Sequence, residues 1–376
     1  MDLIYDESTR DFQAEVRDFL AANTDHFPTK SYDVAEGFEQ HRHWDRVLFD
    51  AGLSVIAWPR EYGGRDATLL QWIVYEEEYF RAGAPGRASA NGTSMLGPTL
   101  FAHGTKEQQT RVLPKMASGE EIWAQAWSEP ESGSDLASLR STATKTDGGW
   151  KLNGQKIWSS RAPFGDKAFG LFRSDPTAQR HKGLTYFMFD LHADGVTVRP
   201  IAQLGGATGF GEVFLDDVFV PDRDVIGAVD GGWAAAMSTS SNERGMSLRS
   251  PARFLAPAER LIEAWKADRD PAFASRVADA WIKAQAYRLH TFGTVTRLAD
   301  GGELGAESSV TKVFWSDLDV ALHQTALDLR GADAELADSW TEGLLFALGG
   351  PIYAGTNEIQ RNIIAERLLG LPREPK

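Results

Sequence analysis

The sequence predicts an α+β multidomain fold: an N-terminal α-helical domain over residues 1–120, a middle antiparallel β-domain over 121–228 and a C-terminal α-helical domain over 229–376. Three observations carry that prediction. Apolar residues recur at helical spacing toward both ends of the chain. Strand-like runs separated by turn residues occupy the middle. The order is helices, strands, helices, which is not the strand–helix alternation of a doubly wound parallel sheet. With 376 residues, and roughly 150 per domain, two or three domains and a large buried core are expected.

The elements follow in order. Phe12, Val16, Phe19 and Leu20 share one helical face; Trp44, Val47, Leu48 and Ala51 share another, which stops at Gly52. Gly63-Gly64 interrupts the chain before a helical run from Leu69 to Phe80, and Gly104, Pro114 and Gly119 punctuate shorter helices. In the middle region Trp150-Lys151-Leu152 and Gln155-Lys156-Ile157-Trp158 flank Asn153-Gly154. That dipeptide predicts a hairpin turn, because both central positions need positive φ. Leu184 to Phe189 reads as a buried strand, Val196 and Val198 alternate up to Pro200, and Val213, Leu215, Val218 and Val220 alternate up to Pro221. In the last region Ala278, Trp281, Ile282 and Gln285 share a face, as do Val313, Leu318, Leu322 and Leu329. Asn357 is placed to cap a final helix with Gln360 three residues on, and Ile359, Ile363 and Leu368 form an apolar stripe along it.

Composition excludes several classes of function. Lysine and arginine number 39 against 53 aspartates and glutamates, a formal net charge of −14. That balance repels phosphate overall and argues against a nucleic-acid partner. There is no cysteine, so disulfides, thiolate nucleophiles, zinc–thiolate sites and iron–sulfur clusters are excluded. No apolar run reaches the roughly 20 residues of a membrane helix. Met1 to Glu7 lacks the basic stretch and apolar core of a signal peptide. A cytoplasmic protein without membrane insertion is the expectation.

Several motifs fail. No G-x-G-x-x-G follows a strand, and the P-loop spacing of Gly149 and Gly154 meets Gln155 where a lysine should stand. There is no G-x-S-x-G elbow, and Ser309-Val310-Thr311-Lys312 lacks the companion motifs of an S-x-x-K enzyme. His41 and His43 stand two apart on a helix, where side chains diverge by about 200°, so they read as a solvated face rather than metal ligands. No metal site is expected.

Four segments remain. Gln125 to Asp135 packs Trp127, hydroxyls and Gly133 into one loop at the entry to the β-domain, with N–H groups suited to a phosphate or a polar cofactor edge. Lys156 to Ser160 sets a tryptophan beside hydroxyls, able to stack on a planar ring. In Ser241 to Gly245, Glu243 precedes Arg244 on the helix opening the last region; alone it reads as an exposed ion pair. Ile352 to Arg361 is a glycine-marked loop feeding a helix N-terminus, whose free N–H groups can receive an oxyanion or phosphate.

Together these segments resemble the acyl-CoA dehydrogenase family in its order and spacing, over nearly the whole chain. Tyr62-Gly63-Gly64 and Leu204 to Pro221 also match family patterns. The resemblance implies an α-helical domain, a β-domain and a C-terminal four-helix bundle. It implies FAD as cofactor, an acyl-CoA thioester as substrate and electron transfer flavoprotein as electron acceptor. The implied reaction is α,β-dehydrogenation to a trans-2-enoyl-CoA, in which a carboxylate takes the α-proton and the β-hydrogen leaves as hydride to flavin N5. The implied cofactor set is Gln125, Trp127, Ser128, Gly133, Ser134, Trp158, Ser160, Thr356 and Glu358. Trp127, Ser128, Trp158 and Ser160 fall beside the ring, and Gly133 and Ser134 near the phosphates. The implied substrate set is Ser134, Arg244, Ala354 and Gly355.

Relatives place the base at one of two positions. One follows the tyrosine of the Y-x-G-T stretch; here it is Ala354, which has no carboxylate. The other lies on the helix opening the C-terminal domain, before an arginine; here it is Glu243, before Arg244. Glu243 is therefore the expected base, while the Ala354 N–H keeps the family's contact to the thioester carbonyl. The R-x-x-F-G segment of many homotetrameric relatives is displaced: Ser250-Pro251 and Pro257 interrupt its place, and Arg288 to Gly293 lies elsewhere. The chain resembles bacterial relatives, some in steroid catabolism, that form mixed assemblies. A homotetramer, a dimer or an α2β2 heterotetramer acting on a bulky or branched acyl-CoA is implied. Two other readings stand beside this one: a non-catalytic partner subunit completing another chain's FAD site, and an acyl-CoA oxidase of the same fold.

Overall fold

The computed structural model describes residues 5–244, 250–302 and 304–373, with the side chains of 241–244 outside the described set. Helices α1 (Glu7–Ala22), α2 (Ala35–Asp50), α3 (Leu69–Arg81), α4 (Gly97–His103) and α5 (Lys106–Ala117) come first. Strands β1 (Trp123–Gln125), β2 (Thr142–Thr146), β3 (Gly149–Ser160), β4 (Lys167–Arg173), β5 (Leu184–Asp190), β6 (Val196–Ile201), β7 (Phe210–Pro221) and β8 (Val225–Ile226) follow. Helices α6 (Gly232–Arg244), α7 (Ala252–Asp268), α8 (Pro271–Ala299), α9 (Glu307–Arg330), α10 (Ser339–Ala347) and α11 (Asn357–Ile363) complete the chain. The order helices, strands, helices is thus the observed one. The chain forms two compact units, one from Met1–Thr24, Thr68–Ala84 and Arg244–Lys376, the other from Asp25–Ala67 and Pro85–Glu243.

The first unit is helical. Asp6 caps α1 by accepting the Thr9 N–H at 2.7 Å, a contact worth about 1 kcal/mol. α1 buries Phe12, Val16 and Leu20 and packs against α3, which also meets α7 and α8. α7, α8 and α9 pack on one another, and α10 lies on α9. Their core holds Phe254, Leu261, Tyr287, Trp315, Leu318 and Leu322. On α8 the inward face is Val277, Ala280, Ala284 and Tyr287, not the expected face of Ala278 and Ile282. Ile282 is exposed: one large aliphatic does not set the rotation when small alanines let neighbouring helices approach.

The second unit is built on an eight-stranded sheet in the order β6-β7-β3-β2-β4-β5-β8, with β1 paired to β4. Pairing is antiparallel except for β1 with β4 and a single-residue contact of β2 with β4. Trp150, Leu152, Phe172, Phe187, Val213 and Val218 lie in its core. Asn153-Gly154 is not a hairpin turn. β3 runs straight through it for 12 residues, and the two-residue turn falls at Asp147-Gly148, between the paired Thr146 and Gly149. The dipeptide instead shifts the register against β7. Gly154 has φ +143°, and a Cβ there would meet Ser141 Oγ at 2.2 Å. The Asn153 amide closes the distortion, its Nδ2 donating to Asp217 Oδ1 and its Oδ1 accepting the Asp217 N–H, both at 2.9 Å. Two further expectations change in this unit. Pro114 lies inside α5. His41 is buried, with Nε2 3.1 Å from the Lys30 carbonyl, rather than on a solvated face.

Candidate functional site

In the sheet unit, β1 delivers Gln125 half-buried at the sheet edge, paired with Phe169. Gly170 allows the next step: a Cβ there would meet the Ala126 carbonyl at 2.3 Å. The chain then turns along β3, where the Ser128 carbonyl accepts the Ile157 N–H at 2.8 Å. This brings Trp127 and Ser128 beside the end of β3. Gly133 and Ser134 are exposed at the tip of the loop, which closes on itself through Glu129 N–H to Ser132 O (2.9 Å) and Ser132 N–H to Glu129 O (3.0 Å).

At the end of β3 the register against β7 breaks again, between Lys156 and Ser159. Trp158 sits there in the left-handed region (φ +57°), costing on the order of 1 kcal/mol for a non-glycine residue. Its indole is 56% exposed, edge-on to Phe210 at 6.1 Å. An exposed tryptophan in this conformation at a strand bulge is not a core position. The buried Ser159 hydroxyl has no hydrogen-bond partner, and Ser160 is half-buried with its carbonyl taking the Asn91 amide at 3.3 Å.

Beneath this surface lies an ion pair that sequence reasoning missed. Lys156 is fully buried and donates to Glu129 Oε1 at 2.8 Å, to the Leu171 carbonyl at 2.8 Å and to the Trp127 carbonyl at 3.4 Å. The Glu129 carboxylate also accepts the N–H groups of Arg140 (2.6 Å) and Ser141 (2.9 Å). Burial pushes the Glu129 carboxyl up, but Lys156 and the Arg140 N–H outweigh it and hold it below the usual range. Burial pulls the Lys156 ammonium down, with Glu129 opposing. The signal is present in the sequence: Trp150, Leu152 and Lys156 all face inward on β3, and a lysine on that phase demands a buried anion. A hairpin at Asn153-Gly154 hides the phase.

A second missed feature is a chain of buried hydroxyls. The Trp127 indole N–H donates to Tyr186 OH at 3.1 Å. Tyr186 OH lies 3.2 Å from Thr239 Oγ1, which lies 2.7 Å from Thr99 Oγ1. Thr239 is on α6, the helix that ends with Glu243 and Arg244. The side chains of Glu243 and Arg244 lie outside the described residues.

In the helical unit, Tyr353 leads into two successive left-handed residues, Ala354 (φ +55°) and Gly355 (φ +80°). The cap of α11 is Thr356, whose Oγ1 accepts the Ile359 N–H at 3.3 Å, and not Asn357. Asn357 is buried, its Oδ1 accepting Lys312 Nζ at 2.7 Å and Ser316 Oγ at 3.1 Å. Gln360 turns inward and donates to the Ala354 carbonyl at 2.9 Å. Glu358 is exposed in the first turn of α11, its carboxyl held below the usual range by its own backbone N–H and the Thr356 hydroxyl. Arg288 is engaged within this unit, paired through Nε and Nη2 with Glu77.

The described residues hold no cluster of three or more metal-ligating side chains. No helix among them is long and apolar enough to cross a membrane. Sequence models of the acyl-CoA dehydrogenase N-terminal, middle and C-terminal domains match residues 6–120, 124–218 and 230–369. Acyl-CoA dehydrogenase IpdE1 of Mycobacterium tuberculosis is 39% identical over 389 residues, covering 98% of this chain and 100% of that protein. The Tcur3481-Tcur3483 steroid ACAD matches in structure with a TM-score of 0.89 at 26% identity, covering 100% of each chain. The ChsE4-ChsE5 complex from Mycobacterium tuberculosis matches with a TM-score of 0.86 at 26% identity and the same coverage.

Proposed function

The chain belongs to the acyl-CoA dehydrogenase family, and from that premise we propose that it dehydrogenates an acyl-CoA thioester to a trans-2-enoyl-CoA using FAD, with Glu243 as the base. The observation that carries the reading is Trp158, exposed and left-handed beside Ser160. Its indole face stands open to solvent, where a planar ring can stack on it. The donor set fits a flavin. Ser128 and Ser160 supply hydroxyls, and the Ser159 Oγ stands buried with no partner. Gly133 has open space where a Cβ would go, so its glycine is not demanded by packing and leaves N–H groups bare to a phosphate. Gln125, Trp127, Ser134, Thr356 and Glu358 complete the cofactor set.

Bound FAD supplies the acceptor for the β-hydrogen, which leaves as hydride. Glu243 takes the α-proton on a carboxylate oxygen, because position 354 carries a methyl group and no acid. The Ala354 N–H donates to the thioester carbonyl and makes that proton acidic. Ser134, Arg244 and Gly355 bind the substrate. Electrons leave to electron transfer flavoprotein. The same reading divides the chain at 1–120, 121–228 and 229–376. Similarity to the Tcur3481-Tcur3483 steroid ACAD and to the ChsE4-ChsE5 complex supports a bulky acyl group and an oligomer, a homotetramer, a dimer or an α2β2 heterotetramer.

Anaerobic addition of acyl-CoA to Glu243→Gln tests the base. The variant should bind the thioester, seen as a perturbed flavin spectrum, and bleach about 10²–10⁴-fold more slowly than wild type. Bleaching at the wild-type rate would overturn the assignment. One observation favours a second reading, a partner subunit of another chain's FAD site: Arg288 is held by Glu77 instead of standing free for a cofactor. Stoichiometric flavin on the chain purified alone excludes that reading.

A further inference from the structure

The chain of buried hydroxyls in the sheet unit has no part in the chemistry assigned above, yet it joins the two pieces of that chemistry which belong to this unit. Trp127 stands on the flavin-side loop, and Thr239 stands on α6, one helical turn before position 243. Thr99, Tyr186 and Thr239 are all fully buried. Each hydroxyl carries one proton and can also accept, so the three can link in series. One order has the Thr99 hydroxyl donating to the Met95 carbonyl at 2.8 Å, Thr239 to Thr99 at 2.7 Å, Tyr186 to Thr239 at 3.2 Å, and the Trp127 indole to Tyr186 at 3.1 Å. In that arrangement every hydroxyl donates once and accepts once. The opposite order also holds the hydroxyls together: Thr239 donates to the Ala235 carbonyl at 3.0 Å while Thr99 donates to Thr239.

The start of α6 is fixed independently. Gly231 bridges to Leu184, and the Asp230 N–H donates to Thr185 Oγ1 at 2.8 Å. At Gly232 a Cβ would fall 2.6 Å from the Tyr186 backbone nitrogen. The first turn of the helix is therefore pressed on β5, and the Thr239 hydroxyl fixes it again two turns on.

We propose that Thr239, Tyr186 and Thr99 are positioning residues: their hydroxyl chain sets the register of α6 against β5 and the Trp127 loop, and so places the carboxylate of Glu243 for abstraction of the α-proton. The proposal rests on the reading of Glu243 as the base. An acid held one turn beyond a fixed point reaches its proton only if that point does not slide, and a displacement of about 1 Å costs on the order of 100-fold in rate.

The test is anaerobic flavin reduction by acyl-CoA in Thr239→Val, Thr239→Ser and Glu243→Gln, with flavin content and acyl-CoA affinity read in the same samples. Thr239→Val should keep its flavin and bind acyl-CoA at the wild-type Kd, while reduction slows about tenfold or more. Thr239→Ser, which restores the hydroxyl, should recover the rate. In Glu243→Gln, adding Thr239→Val should slow reduction no further, because the two changes act through one group. A wild-type rate in Thr239→Val, with Glu243→Gln inactive, overturns the positioning role and leaves the base in place. An active Glu243→Gln overturns the base reading instead. If Thr239→Val does not fold, Tyr186→Phe, which keeps the ring and removes the hydroxyl, decides: reduction at the wild-type rate overturns the proposal.

Discussion

Among the described residues each unit of the molecule hides one fully buried lysine beneath a segment assigned to the cofactor, and the two lysines meet different partners. In the sheet unit Lys156 donates to the Glu129 carboxylate at 2.8 Å under the Trp127–Ser134 loop. In the helical unit Lys312 donates to the Asn357 amide oxygen at 2.7 Å, behind the Thr356 cap. The Asn357 amide passes the contact on, its Nδ2 donating to Asp317 Oδ1 at 3.1 Å. The first arrangement sets a full charge against a full charge and leaves nothing to relay. The second sets a charge against an amide oxygen that also accepts from Ser316, and the same charge acts on the Glu358 carboxylate. The same residue type should therefore carry a different penalty in each place.

The largest effect is expected for Lys156→Met. It strands the Glu129 carboxylate in the interior, and breaking a buried pair from one side costs about 3–5 kcal/mol. Denaturant unfolding measures that loss, with loss of bound flavin beside it. The pH dependence has a definite sign. Because the folded pKa of Glu129 is depressed, its contribution is present above the unfolded carboxylate pKa and is lost as pH falls through the folded value. In Lys156→Met burial acts on the Glu129 carboxyl without its counter-charge and raises it, so the stability gap to wild type should narrow as pH falls. Adding Glu129→Gln to Lys156→Met should recover part of the loss, because the stranded charge is gone. If the double variant is as unstable as the single one, charge is not what the pair contributes.

Lys312→Met leaves the Asn357 amide oxygen short of one donor, a loss of about 1–3 kcal/mol. Thermal unfolding compares the two lysine variants directly. A loss equal to that of Lys156→Met would break the distinction and assign full ionic weight to the second site.

The same contrast explains what the sequence discloses. Helical faces such as Phe12, Val16 and Leu20, and alternating strands such as Val213 and Leu215, are written as local periodicity and are observed as expected. Asn153-Gly154 misleads because its left-handed preference serves a bulge as well as a turn. The choice is made by Ser141 and Asp217, neither of them adjacent in sequence. Asn357 misleads as a cap for a similar reason: Lys312, 45 residues away, draws it inward and leaves Thr356 to cap. On the candidate site, the exposed loop and Trp158 are legible as unusual residue types in short segments. Lys156 with Glu129, and Tyr186 with Thr239, join positions 27 and 53 residues apart. No local pattern encodes such a pairing.

Asp45 extends the comparison to a buried acid with no lysine on it, and gives the smallest expected effect. It is almost completely buried on α2, and Oδ2 accepts the Ser89 N–H at 2.9 Å. Burial pushes its carboxyl up from 3.8 to about 6, with the Ser89 N–H and Arg87 only partly offsetting. Glu129, buried with Lys156 in direct contact, moves the other way. For Asp45 the folded value is the raised one, so its contribution to stability is fully present below the unfolded value of 3.8 and is lost as pH rises through about 6. Above that the protein carries an ionised carboxylate it would hold better neutral. Asp45→Asn removes the ionisation and keeps an oxygen for the Ser89 N–H. Relieving a raised carboxyl gains about 1.4 kcal/mol for every tenfold weakening of its acidity. Against this stands about 1–3 kcal/mol for burying the new amide hydrogens without an acceptor, which leaves a net change of about 1 kcal/mol at about pH 8. The sharper signature is in the shape of the curve. Between about pH 4 and about pH 6 the melting temperature of the wild type should fall relative to that of Asp45→Asn, and the variant should overtake it at the alkaline end. Parallel curves across that range would mean that Asp45 is held ionised by its arginine neighbours, as Glu129 is by Lys156, and that a direct salt bridge is not required to keep a buried carboxylate charged in this unit.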